Sequence, residues 1–291
     1  MLKRLLPAVL ALACAAPVLA AGPQLKGQAP GWYQVQLGDF EITALSDGTI
    51  DLPVDKLLQQ PPANTLRALQ HAYLGVPLET SVNAYLVNTG TKVVLVDTGT
   101  AGLFGPTAGR VVANLKAAGY TPEQVDEIVI THMHGDHFLQ APHMKEKWGA
   151  GLWGLDRMAP MVEHPERFDY AAPIQAYGTG VEGVRFDRVF RPGSTLEWEG
   201  FRLGIDWMPG QTEFALCLNG VIDGKKVAFT GDNIFGDPSD ATQNGHECVN
   251  AKNSAIIDEG YLVAAQYLER IAPEIIVGAH GVLMTEPAAF I

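Results

Sequence analysis

The stretch Glu127-Ile128-Val129-Ile130-Thr131-His132-Met133-His134-Gly135-Asp136-His137 decides how this chain is read. Ile128 to Ile130 are apolar and β-branched, so Glu127 to Thr131 is expected to be a strand. The six residues that follow carry three imidazoles and one carboxylate. Imidazole nitrogen and carboxylate oxygen together suit a borderline divalent ion such as zinc. A loop leaving a strand end turns alternate side chains to one side. His132 and His134 therefore read as one ligand pair, with Asp136 and His137 reaching a second position nearby. The competing reading is a solvated polar loop with incidental histidines, and four donor side chains in six residues weigh against it.

Upstream, Tyr33 to Leu37 and Phe40 to Leu45 alternate like strands, and Ser46-Asp47-Gly48 reads as a turn. Asn83 to Asn88 and Lys92 to Val96 form an expected hairpin about Thr89-Gly90-Thr91, ending at Asp97-Thr98-Gly99. Ala108 to Ala118 has helical spacing of Val111, Val112 and Leu115 and stops at Gly119. Thr121-Pro122-Glu123-Gln124 offers a capping box with proline at the first helical position. Downstream, residues 138–185 hold weak helical patterns broken by Trp148, Trp153 and several prolines and yield no assignment. From Val189 the pattern is β again: Thr195 to Trp198, Phe201 to Trp207, Phe214 to Leu218 and Lys226 to Thr230, with Asn219-Gly220 and Asp223-Gly224 as turn dipeptides. A helix opens at Asn253 or Ser254, presents Ile257, Tyr261, Ala264, Ala265 and Leu268 on one face, and runs to about Arg270. Pro273 separates it from the strand Glu274 to Val277. Two strand groups, each followed by a helix, predict a sandwich with helices on its outer faces.

Composition narrows the class. The chain has 291 residues, 47% of them hydrophobic and 18% charged, with 3 Cys, which excludes disordered, collagenous and disulfide-framework proteins. A chain this long buries about three quarters of its unfolded surface, enough for one large core. Its formal charge of -12 argues against a nucleic-acid backbone or an anionic membrane as partner. Lys3 and Arg4, the apolar run Leu5 to Cys14 and the small residues around Ala20 read as a signal peptide over residues 1–20. Pro7 and Pro17 and the lack of a stop-transfer flank argue against a membrane anchor. Residues 21–31 then form a leader and 32–291 one domain, periplasmic or secreted. Cys217 and Cys248 would remain in the mature chain. A disulfide between them and a buried thiol at Cys217 are both open readings, and the apolar strand around Cys217 favours the thiol.

Thr131 to His137 resembles the metal signature of the metallo-β-lactamase superfamily. Leu95-Val96-Asp97-Thr98-Gly99, Phe229-Thr230-Gly231-Asp232 and Gly278-Ala279-His280-Gly281 resemble its other strand-end motifs, in the same chain order. The resemblance implies an α/β fold, a four-layer αββα sandwich. It implies His132, His134, Asp136, His137, Asp232 and His280 as metal ligands, with Asp232 bridging two ions, Asp97 supporting the metal loop, and Asp136 also serving the reacting water. Where the family has Pro-Gly-His-Thr, this chain reads Pro209-Gly210-Gln211-Thr212. Gln211 is then the remaining ligand, weaker than imidazole, and His246 is a candidate substitute. Two divalent ions per chain, zinc by the donor set, are expected, and one if Gln211 does not bind. His143 and His164 read as non-ligands.

From Pro30 to His137 the sequence resembles the methyl parathion hydrolases, secreted dinuclear organophosphate hydrolases of this superfamily. That likeness places Phe104 in a substrate pocket, and it fades after His137. The function implied is a secreted hydrolase that uses a metal-activated water on small neutral esters, either organophosphate triesters or lactones and aryl esters. Leu103, Phe104 and Trp153 supply apolar surface for such substrates. The alternatives are a β-lactam hydrolase and a non-catalytic metal-binding protein on the same fold. A small-molecule substrate is the expected partner, with no nucleic acid and no membrane after signal cleavage, and a homodimer stays open.

Overall fold

A computed structural model describes residues 29–58, 60–167, 182–210, 212, 214–234, 260–279 and 283–289. The strands Trp32–Leu37 (β1), Phe40–Leu52 (β2), Leu78–Asn88 (β3), Val93–Val96 (β4), Glu127–Val129 (β5), Gly151–Leu155 (β6) and Arg188–Phe190 (β7) lie side by side in that order in one sheet. Pairing is antiparallel from β1 to β4 and parallel from β4 to β7. Ser194–Trp198 (β8), Phe201–Trp207 (β9), Leu216–Ile222 (β10) and Lys225–Gly231 (β11) make the expected antiparallel meander. Ile275–Gly278 (β12) closes this second sheet parallel to β11. The described helices are Val54–Leu57 (α1), Pro62–His71 (α2), Val111–Ala117 (α3), Gly135–Phe138 (α4), Ala141–Trp148 (α5), Ala159–Glu163 (α6) and Gly260–Ile271 (α7).

The two-residue period of each strand sorts its side chains into layers. Leu216, Leu218, Val227 and Phe229 face the first sheet, where Phe40, Val87, Val94, Val96 and Val129 meet them. Their neighbours Cys217, Ala228 and Ile276 point the other way and are covered by Ala264, Tyr267 and Leu268 of α7. In the first sheet Leu86, Leu95 and Ile128 alternate with the inward valines and are fully buried on the opposite face. There α3 lies against β1 and β2, and α5 against β6. The order is helix, sheet, sheet, helix, the αββα sandwich expected. Among the described residues no helix is long and apolar enough to cross a membrane.

Several local expectations hold. The β3–β4 hairpin forms, α3 ends before Gly119, and Thr121 N donates to Gln124 Oε1 at 2.7 Å in the capping box, which opens a short 3-10 helix at Pro122–Gln124. Two turn readings are corrected. Ser46-Asp47-Gly48 lies inside β2, where the register against β3 shifts, so it is a bulge and not a turn. Asn219-Gly220 lies inside β10, paired on both sides, and the β10–β11 turn is Asp223-Gly224 alone. Asn219 is used there as a side chain: its Nδ2 donates to Tyr267 Oη at 2.7 Å and to Asp206 Oδ2 at 3.2 Å.

Cys217 is a fully buried free thiol, and Cys248 lies outside the described residues. Burial pushes its pKa up to about 12, against a smaller opposing effect of the Tyr267 hydroxyl. The unfolded chain ionises this thiol near pH 8.5, well below the folded value. The contribution to stability is therefore whole below that pH and declines as pH rises further. At pH 8.5, without reductant, iodoacetamide is expected to alkylate Cys217 only after denaturation, read by peptide mass mapping. Rapid labelling of the native protein would contradict the burial.

Candidate metal centre

β4 and β5 are parallel neighbours, so their C-terminal ends bring Asp97 beside the Thr131–His137 loop. β11 ends at Gly231-Asp232 in the facing sheet. Leu216 N donates to Thr131 O at 2.9 Å, which ties the start of β10 to the same loop. A Cβ on Gly231, at φ +54°, would sit 2.8 Å from Thr131 Oγ1, so only glycine lets the two sheet ends approach this closely.

Asp97 organises the loop. Its Oδ1 accepts from Thr131 N at 2.8 Å, and its Oδ2 accepts from Thr131 Oγ1 at 2.7 Å and from His137 Nδ1 at 2.8 Å. That last bond fixes the His137 tautomer and turns Nε2 toward Asp232, 3.4 Å from Oδ1. His132 Nε2 lies 3.7 Å from Asp232 Oδ2, and the ligand atoms of His132, His137 and Asp232 fall within 4.8 Å of one another. Donors of a tetrahedral site with bonds of about 2.1 Å lie about 3.4 Å apart, which the 3.4 and 3.7 Å spacings match. His132 Nε2 is buried without a hydrogen-bond partner, an arrangement that a protein keeps where an electrophile is to be held. The residues fit a divalent metal.

His134 stands at the N-terminus of α4, half-buried, its ring edge-on to His132 with centroids 4.7 Å apart. Asp136, in the first turn of α4, reaches within 3.6 Å of His137 Nε2. Burial, then the neighbouring His137 charge, holds His132 well below the usual imidazole range. Burial also works against charge on His137, but Asp232, Asp97 and Asp136 surround it and raise its pKa well above that range. The cluster therefore pairs a neutral imidazole with one that takes up a proton when no cation is bound.

The structure thus brings His132, His134, Asp136, His137, Asp232 and Asp97 together. Gln211, His246 and His280 lie outside the described residues. The described neighbours of Gln211 and His280 lie close by: a Cβ on Gly210 would sit 2.3 Å from Asn233 Oδ1, and Ala279 N donates to Gly231 O at 3.0 Å. His143 packs edge-on against Trp148 and His164 sits 3.6 Å from Glu166, both apart from the cluster. Trp153 is corrected: it offers no open apolar surface to a substrate but belongs to β6, buried between the sheets beside Phe190. Phe104 is half-buried against the small cluster of Ile50, Val82 and Ala108, and Leu103 is buried. Asp47 was missed, because Ser-Asp-Gly carries only a local turn signal. The one long-range clue was that an acidic residue inside a strand pattern needs donors from elsewhere.

A two-sheet sandwich with imidazole and carboxylate donors converging at its strand ends defines a candidate metal-binding protein of the αββα class. The model of the Metallo-beta-lactamase superfamily matches residues 78–280, and the chain belongs to that superfamily. It is 28% identical over 168 residues to "Beta-lactamase-like protein 2 homolog" of Caenorhabditis elegans, covering 57% of this chain and 48% of that protein. It is 33% identical over 112 residues to "Hydroxyacylglutathione hydrolase GloC" of Haemophilus influenzae, covering 37% and 49%. The chain thus spans about half the length of these curated relatives. Among solved structures, "hydrolase AbOPH in beta lactamase superfamily" is similar at 27% identity and a TM-score of 0.66, covering 88% of this chain and 92% of that one. "AidC, a Dizinc Quorum-Quenching Lactonase" shares the fold at 17% identity and a TM-score of 0.67, covering 86% and 90%.

Proposed function

We propose that this chain is an exported hydrolase of small neutral esters, phosphotriesters or lactones and aryl esters, working with two zinc-like ions per chain. The observation that carries the reading is the convergence of His132, His137 and Asp232 donor atoms within 4.8 Å at the junction of the two sheets. His132 and His134, with Gln211, would hold one ion; Asp136, His137 and His280 would hold the other; Asp232 would serve both. Bound there, such ions lower the pKa of a water toward neutrality and polarise the oxygen of the ester. Asp97 keeps the Nδ1 proton of His137 in place, so its Nε2 lone pair stays directed at the cluster. Asp136, with 17% of its side chain exposed against 4% for Asp232, is the cluster carboxylate nearest solvent, suited to orienting the attacking water and passing its proton outward. The similarity to the hydrolase AbOPH along nearly the whole chain supports a hydrolase, and the N-terminal segment Met1 to Ala20 supports export.

The test is metal content per chain, beside turnover of a p-nitrophenyl ester, an aryl phosphotriester and a lactone by chelated protein titrated with zinc. The expected result is two ions in wild type and in Gln211→His, with turnover lost on chelation and regained with zinc. One ion in wild type rising to two in Gln211→His would overturn the dinuclear reading. A drop to one in His246→Ala would transfer the Gln211 role to His246. No metal-dependent turnover on any of the three substrates would leave a binding protein.

A further inference from the structure

We infer that Asp47, in the bulge of β2, is a positioning residue that pins the loop after β4 and, through it, His137; the second half of this inference rests on the metal-ligand role proposed for His137. Asp47 is buried, and its carboxylate takes four hydrogen bonds. Oδ2 accepts from Thr100 N at 3.0 Å, Thr100 Oγ1 at 2.7 Å and Gly109 N at 3.0 Å, and Oδ1 accepts from Val111 N at 3.1 Å. Thr100 and Gly109 are the two feet of the loop 101–108. One oxygen therefore closes a loop that the chain enters 53 residues and leaves 62 residues after Asp47. The Asp47 backbone oxygen also accepts from Arg110 N at 3.0 Å.

The approach has been cleared on purpose. A Cβ on Gly99, at φ +80°, would sit 2.5 Å from Asp47 Oδ1. Gly99 is also the only residue between Thr100 and Thr98. Thr98 N and Oγ1 both donate to the carbonyl oxygen of His137, at 2.6 and 2.9 Å. The connection is continuous: Asp47 fixes Thr100, Thr98 grips the backbone of His137, and Asp97 grips its ring. Loss of the carboxylate leaves four donors aimed at an empty space and frees both feet of the loop. It also frees the segment that sets where His137 stands. Partners bonded directly to a metal ligand carry about 10- to 100-fold in metal affinity, and Asp47, acting through Thr98, is expected at the lower end of that range.

The experiment compares wild type with Asp47→Ala, with Asp47→Asn as the milder change should alanine fail to fold, and with Thr98→Val. Readouts are hydrogen exchange of the Thr100 and Gly109 amides, zinc affinity by chelator competition, and the visible spectrum of the cobalt-loaded protein. Asp47→Ala is expected to speed exchange at both amides by about tenfold or more, to weaken zinc binding by about tenfold, and to alter the cobalt spectrum. Asp47→Asn, which keeps one oxygen, is expected to do each to a smaller extent. Thr98→Val is expected to alter the cobalt spectrum while leaving Gly109 protected. Unchanged protection at Thr100 and Gly109 in the aspartate variants overturns the pinning. Faster exchange with wild-type zinc affinity and cobalt spectrum overturns the connection to His137. Wild type that binds no metal refutes the proposed metal centre instead, and the exchange readout still decides the pinning.

Discussion

Asp232→Ala is expected to lower kcat/KM on neutral esters by roughly three orders of magnitude or more, with the fold retained. Among the described residues Asp232 is the carboxylate that faces both buried imidazoles, 3.7 Å from His132 Nε2 and 3.4 Å from His137 Nε2. Without it His132 Nε2 and His137 Nε2 lose the carboxylate between them, and Asp136, 3.6 Å from His137 Nε2, is left as the nearby anionic donor on the His137 side alone. Folding is affected less, since Asp232 follows the last residue of β11 and the sandwich core is formed by side chains further back along the strand. The measurement is steady-state kinetics with zinc in excess, beside thermal unfolding of the metal-free proteins. Activity within tenfold of wild type would remove Asp232 from the centre and with it the proposed mechanism.

The same contrast between local and distant signals explains what could be read before the structure was known. His132 to His137 were legible because four donors stand within six residues, at the end of a strand whose apolar run is unmistakable. Asp97 and Asp232 were legible through resemblance, since Leu95 to Gly99 and Phe229 to Asp232 match strand-end motifs of the superfamily in the same chain order. The meander β8 to β11 was legible from alternation. Turn dipeptides were the weak point: Asn-Gly at 219–220 favours a turn locally, but pairing of β10 with both β9 and β11 outweighs that preference, and only Asp223-Gly224 turns. Asp47 failed for the same reason in reverse, since its partners stand 53 to 64 residues away and nothing near it hints at them. The helix α2 went unread; Thr65 apart, its side chains are exposed or half-buried.

Asp97→Asn should separate what the Asp97 charge does from what its shape does. Asp97 adopts φ +60°, a left-handed conformation that asparagine accepts and most residues do not, so this substitution leaves the backbone unstrained where alanine would not. Three donors converge on the carboxylate: Thr131 N, Thr131 Oγ1 and His137 Nδ1. An amide has one oxygen, and its nitrogen must face one side of that trio. If it keeps the bond to Thr131 N, its NH2 points at His137 Nδ1. The imidazole then relieves the clash by moving its proton to Nε2, the atom that would bind metal. If instead it keeps His137, the NH2 opposes the Thr131 amide and the metal loop loses its anchor. Both arrangements weaken the His137 site, so zinc affinity is expected to fall about 10- to 100-fold and kcat/KM at limiting zinc to fall in parallel. Saturating zinc should restore much of the rate, because the ligands themselves are intact. A zinc affinity within twofold of wild type would mean that Asp97 shapes the loop without setting the tautomer, and that another group holds the His137 Nδ1 proton.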